Sequence, residues 1–176
     1  MPTEPPVPPA AAGVEAVVHR YRTEVRWDGS TGLGYEGYDR THRGNTDPPT
    51  AELRLSADPA FRGDASLLDP EQLLLLSASS CQLLSFLAVA ARARLDVIAY
   101  RDEAEAVMPE GDRPVRITHI TLRPHITLAP PADGRARMAD AQVARLVRIA
   151  HDECFVARSL RSEMTIIEHI EWREPT

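Results

Sequence analysis

The stretch Asp69–Leu95, DPEQLLLLSASSCQLLSFLAVAARARL, decides how the rest of the chain is read. It predicts one long, mostly apolar helix with a single thiol, Cys81, near its middle. Asp69 is a good N-cap, Pro70 is tolerated at the first helical position, and Glu71 places a carboxylate in the first turn, where it suits the helix dipole. About 25 residues at roughly 1.5 Å each would span about 37 Å, the length of a central helix. The apolar run 73–91 raises the question of a membrane span, but Ser77, Ser79, Ser80, Gln82 and Ser85 within it fit a buried helix better. A thiol in such a helix is either inert packing or a tuned nucleophile.

Working outward, residues 1–13 are dominated by Pro and Ala and are expected to form a disordered tail, with a single domain over residues 14–176. Residues 17–27 alternate at every second position, as does TAELRLS at 50–56, so both read as strands. Between them, the Gly- and Tyr-rich segment 32–49 reads as a short strand or a loop carrying side chains to a site. Residues 58–66 make a turn into the long helix. Beyond it, residues 97–108 and 116–128 form two β-like runs joined by the hairpin-type connection PEGDRP. Residues 138–160 show helical spacing through Val143, Leu146, Val147, Ala150 and Cys154, and 164–172 closes the chain as a strand. The order β-β-β-α-β-β-α-β segregates strands from helices and predicts an α+β fold, with antiparallel sheet packed on two long helices.

Composition narrows the function classes. A formal net charge of -6 argues against nucleic acid, which demands clustered basic surface. All 20 basic residues are Arg, a pattern best explained by genome base composition. The N-terminal MPTEPPVPPAAAG lacks the basic start and apolar core of a secretory leader, so a cytoplasmic location is expected. The two cysteines, Cys81 and Cys154, are too few for a disulfide scaffold and read as free thiols, a metal pair or a redox pair.

The stretch DPEQLLLLSASSCQLLSFLAVAARARLDV, followed by a strand and later by HDECFVARSL, resembles the osmotically inducible protein C (OsmC) and organic hydroperoxide resistance family over roughly residues 35–172. Members carry an Asn-Pro-Glu-type helix start, a cysteine ten residues after the Glu, and a second cysteine on a later helix. Glu71, Cys81 and Cys154 match those positions. The resemblance implies an OsmC-like fold, an intertwined homodimer with two sites at the subunit interface, and a thiol peroxidase of the oxidative-stress response acting on organic hydroperoxides. In that chemistry Cys81 attacks the peroxide as a thiolate, which a nearby cation would favour, and becomes a sulfenic acid. Cys154 condenses with it to a disulfide, and an external dithiol, of lipoyl type in the family, reopens the bond by exchange. No bound cofactor or metal is implied. Apolar neighbours such as Leu74, Leu84 and Phe86 would favour an organic peroxide.

The family's Glu holds an Arg beside the thiol. Arg54, on the strand before the helix, matches one branch, Arg40 fits the spacing of the other, and Arg43 is a third candidate. The chain departs from the family pattern at Phe155, which stands in place of Pro after the second cysteine, at Ala157 in place of a small hydroxyl residue, and at Arg94, where Gly often ends the helix. Competing readings remain for each residue. Glu71 stabilises a helix start whether or not it holds an Arg. His151, three residues before Cys154, invites a zinc reading with Cys81, though the paired near ligands of a zinc site are missing. His119, His125 and His169 read as surface strand residues, and Arg135, Arg137, Arg145 and Arg148 as the solvated face of the second helix. The alternative to a peroxidase is a weakly active or non-catalytic stress or binding protein of the same fold with structural cysteines.

Overall fold

The computed structural model describes residues 18–29, 31, 35–47, 51–131 and 133–173. The expected tail at 1–13 lies outside them. The long helix forms as its sequence dictates. In α1 (Pro70–Arg92) the Asp69 carboxylate accepts the Gln72 N–H (2.7 Å) while Gln72 Oε1 accepts the Asp69 N–H (3.3 Å). This reciprocal capping box uses Gln72 and leaves Glu71 uncommitted. The helix ends where Arg94 takes a left-handed backbone, φ 56°. The Leu95 N–H then reaches the Ala90 carbonyl (2.9 Å) and the Arg94 N–H the Ala91 carbonyl (3.0 Å). These two bonds are those of a Schellman termination, with arginine in the position that glycine usually fills.

Before α1 lie β1 (Arg22–Arg26), β2 (His42–Asp47) and β3 (Leu53–Leu55), an antiparallel sheet in the order β1-β2-β3. The segment 32–49 thus supplies a strand, β2, although residues 32–34 and 48–50 lie outside the described set. Burial of one face of the first strand is not found. Every residue of β1 is exposed, Val25 included. A 3-10 turn at Pro59–Phe61 follows. Gly63 is needed there, because a Cβ would sit 1.5 Å from the Ala57 carbonyl oxygen.

After α1, the two long β runs each break in the middle. Residues 97–108 become β4 (Asp96–Asp102) and β5 (Glu105–Val107), and 116–128 become β6 (His119–Leu122) and β7 (Pro124–Ala129). The terminal strand divides likewise into β8 (Glu163–Ile166) and β9 (His169–Trp172). The sheets are β4-β7-β9 and β5-β6-β8, with β6 and β7 central. Their pairing with β5 and β4 is antiparallel, and with β8 and β9 parallel, so antiparallel sheet is only part of the architecture. The break has two causes, one in the chain itself and one from a neighbouring strand. Pro124 has no N–H for the ladder, and the Asp102 carboxylate accepts the Arg123 N–H (2.6 Å) and the Ser79 hydroxyl (2.5 Å).

The second helix is also divided. α2 (Asp140–Glu153) stops at Cys154, whose backbone is extended, and a five-residue α3 (Phe155–Ser159) follows. Arg135 and Arg137 precede α2, so they do not lie on its solvated face.

The core has two parts. Phe86, Val89 and Ala90 of α1 pack with Ile126, Leu128, Val143, Val147 and Ala150, and Ala78 packs with Ile120 and Leu122. By length and composition α1 could cross a membrane. One of its faces is packed, while Leu76, Leu84 and Leu87 on the other are exposed. Replacing Arg94 by Gly should relieve the left-handed strain and stabilise the protein by about 1 kcal/mol, seen as a higher urea midpoint at fixed protein concentration. An unchanged or lower midpoint would contradict this account of the helix end.

Candidate active site

Cys81 is half-buried on α1 and Cys154 fully buried at the α2–α3 junction. They meet because α1 lies along both short helices. Gln82, the neighbour of Cys81, is buried and donates Nε2 to the Val147 carbonyl of α2 (3.3 Å). The Val156 N–H of α3 points at Cys81 Sγ (3.5 Å). The two thiols are close enough for Cys81 to perturb the titration of Cys154. Burial pushes the Cys154 thiol up from its usual 9.0 to about 11, and the neighbouring Cys81 adds to the rise. At neutral pH it is therefore a protonated thiol.

A cavity of about 590 Å³ opens beside Cys81. Leu84 and Ala88 floor it, Phe155 walls it at 81% exposure, and the Arg92–Glu153 ion pair between α1 and α2 stands at its far end. Leu84 lines it as expected, but Leu74 and Phe86 do not. Leu74 packs toward the second core cluster, and Phe86 is fully buried in the first. Sequence reasoning missed Arg92, Glu153 and Arg158 as neighbours of this cavity. The spacing 81, 85, 88, 92 on one helix would have pointed to Arg92.

The expected arginine lies elsewhere in the chain. Arg40 is buried, at 9% exposure, its guanidinium 4.0 Å from the Tyr38 ring centre and 4.8 Å from that of Tyr35. Its Nη1 and Nη2 donate to the Tyr38 and Tyr35 carbonyls (2.8 and 2.7 Å). The His42 ring donates Nδ1–H to the Arg40 carbonyl (2.8 Å), and the Trp27 indole donates to the Asp39 carbonyl (2.8 Å). Arg40 and Glu71 line one cavity of about 340 Å³, together with Trp27, Tyr38 and His42. Among the described residues no carboxylate lies within ion-pair distance of Arg40. Arg54 and Arg43 are exposed register partners on β3 and β2, and Arg43 pairs with Glu52 (3.6 Å). The chain thus brings together Arg40 with Glu71, and Cys81 with Cys154. Ten helical residues, about 15 Å, separate Glu71 from Cys81. Among the described residues no group of three or more His, Cys, Asp or Glu side chains is placed to hold a metal ion.

Residues 63–169 match the family model described as OsmC-like protein. The chain belongs to the OsmC-like family. The fold agrees with that of solved OsmC-like structures. An OsmC-like protein of unknown function from Vibrio cholerae superposes with a TM-score of 0.74 at 24% identity, covering 87% of this chain and 99% of that one. An organic hydroperoxide resistance protein from Legionella pneumophila gives 0.63 at 16% identity, with 89% and 99% covered. One from Elizabethkingia anophelis gives 0.63 at 13% identity, with the same two coverages. Curated proteins give no significant match. Against the OsmC-like pattern, the second cysteine keeps its contact with the first although Phe155 stands where Pro is usual.

The raised Cys154 thiol carries a pH signature. Above about pH 9 the unfolded chain loses this proton while the folded one keeps it, so the reduced protein should lose stability as pH climbs from about 9 toward about 11, by on the order of 2 kcal/mol. Urea unfolding across that range should show the decline in wild type and a shallower one in Cys154→Ala. Equal slopes would contradict the raised thiol.

Proposed function

We infer that this OsmC-like protein is a thiol peroxidase that reduces organic hydroperoxides to alcohols. The observation that carries this reading is the contact between a buried Cys154 thiol and a half-buried Cys81 beside an apolar cavity. The Cys81 thiolate attacks the terminal oxygen of the hydroperoxide, the O–O bond breaks, and the departing alkoxide takes a proton to leave as alcohol. Cys81 is left as the sulfenic acid. The Cys154 sulfur then displaces the sulfenic hydroxyl, which takes the Cys154 proton and leaves as water, forming the Cys81–Cys154 disulfide. An external dithiol, possessing the two electrons needed, restores both thiols and becomes a disulfide itself. A reducing, cytoplasmic setting suits this cycle.

The cation is supplied by a second copy of the chain. Midway between Glu71 and Cys81 on α1 stands Leu76, 59% exposed in an apolar stripe that needs cover. A two-fold axis crossing α1 near Leu76 places Glu71, and with it Arg40, level with Cys81 of the partner subunit. The N-terminal sheet, exposed along β1, gains cover in the same association. Arg40, caged between Tyr35 and Tyr38, is then the activating cation, and Arg54 and Arg43 are surface residues.

Reduced wild-type protein treated with one equivalent of cumene hydroperoxide should lose both thiols and form an intramolecular disulfide. Cys154→Ser should stop at a trappable sulfenic acid on Cys81, and Cys81→Ser should be inert. Absence of the disulfide in wild type would sink the enzyme reading. Arg40→Ala should lower kcat/KM by about 10²-fold, with Arg54→Ala near wild type. Mixing Arg40→Ala with Cys81→Ser subunits should restore on the order of a quarter of the activity if sites are shared across a two-fold, and none if each chain works alone.

A further inference from the structure

At the far end of α1, about 20 Å along the helix from Cys81, lies a separate cavity of about 310 Å³. It is lined by three arginines from distant parts of the chain, Arg94 from the helix end and Arg135 and Arg137 from the segment before α2, together with Trp172 from β9. Their charges are not equally committed. Arg135 is paired with Asp133 (2.9 Å). Arg137 stands 5.6 Å from the Trp172 ring centre, and among the described residues no carboxylate lies within ion-pair distance of Arg94 or Arg137. Asp96 also lines the cavity, and Asp140, the acid of the first α2 turn, is occupied by the Trp172 indole N–H (2.8 Å). The N-cap of α2 is Ala139, which offers the first-turn amides no side-chain acceptor.

Arg94 bears most of the argument. It holds the left-handed position of a Schellman termination, where glycine carries no strain and any side chain does. The strain is borne by a residue that lines a cavity lined by two further arginines. Strained backbone conformations cluster at ligand-binding sites, and here the strain coincides with a cluster of like charges. Guanidinium forks match planar oxyanions, and the indole with the neighbouring Pro130 and Pro131 supplies flat apolar walls. A cavity of this size takes a ring bearing one anionic group and not a long chain.

We propose that this cavity is a second binding site of the protein, for a small aromatic oxyanion, an aryl phosphate or aryl carboxylate, held by Arg94 and Arg137 with its ring against Trp172. The site is independent of the thiol chemistry and stands or falls without it. Phenyl phosphate, benzoate and inorganic phosphate serve as probes, each titrated into the full chain carrying Trp27→Phe, so that Trp172 is the only indole. Saturable quenching by phenyl phosphate or benzoate is expected. Binding should weaken at least about tenfold in Arg94→Gly and in Arg137→Ala, and inorganic phosphate should bind at least about tenfold more weakly than phenyl phosphate. Arg94→Gly suits the backbone, so its lost binding cannot be assigned to misfolding, and its circular dichroism should match the parent. The proposal is overturned if neither aromatic probe quenches saturably, if Arg94→Gly or Arg137→Ala binds as the parent does, or if inorganic phosphate binds as tightly as the aromatic probes.

Discussion

Helix α1 carries apolar side chains on two faces, and packing within the chain covers only one of them. Ala78, Gln82, Phe86, Val89 and Ala90 are buried against α2 and the central strands, a face settled within the chain. The stripe of Leu76, Leu84 and Leu87 stays in water, where each Å² of apolar surface forgoes roughly 25 cal/mol of burial. Association of two copies along that stripe would recover it. The same helix carries Glu71 near its start and Cys81 at its middle, so a contact that covered the stripe would also complete the proposed site. In such a dimer stability and chemistry would depend on one interface, and loss of the stripe would remove both together.

Register within the chain rests on smaller devices. The buried Gln82 reaches the Val147 carbonyl and fixes α1 against α2. The break at Cys154 turns α3 so that the Val156 N–H meets Cys81 Sγ. A continuous helix through residue 154 would offer no such free amide, since interior N–H groups are taken by carbonyls one turn back. Proline is not required to end α2 here. The Cys154 N–H closes on the His151 carbonyl (3.1 Å), and the extended Cys154 backbone starts the next helix. The departure at Phe155 therefore leaves the Cys154 thiol in place and changes the wall of the cavity.

How far the sequence is legible follows from which forces are local. The start of α1 was readable because Asp69, Pro70 and the apolar run act within one turn, and the unusual end at Arg94 was readable as a missing glycine. The strand breaks were not, because alternation continues across Arg123 while the cause is tertiary, an Asp102 carboxylate from another strand taking the Arg123 N–H. Phe86 was readable and misassigned. Five residues beyond Cys81 it points about 140° away around the helix, into the core. Leu74 shares the side of Cys81 but sits about 10 Å up the axis. Arg40 could be placed only once the chain had folded, since its cage is made of its neighbours' rings and carbonyls and its cavity is shared with Glu71.

Burial divides the labour of the two thiols in the proposed cycle. Cys154, fully buried and pushed up to about 11, is too poor a thiolate at neutral pH to open the attack on peroxide, which leaves that step to Cys81. The same proton becomes useful in the second step, when the sulfenic hydroxyl must leave as water. Once the disulfide has formed, a dithiol can reach Cys81 through its cavity but not the enclosed Cys154 sulfur. Attack at Cys81 makes Cys154 the leaving thiolate, and a thiol of high pKa leaves slowly unless it is protonated as it goes. The environment that guards the sulfenic acid thus loads the difficulty of the cycle onto its reopening, and a reductant suited to this protein has to deliver a proton to Cys154 along with its electrons.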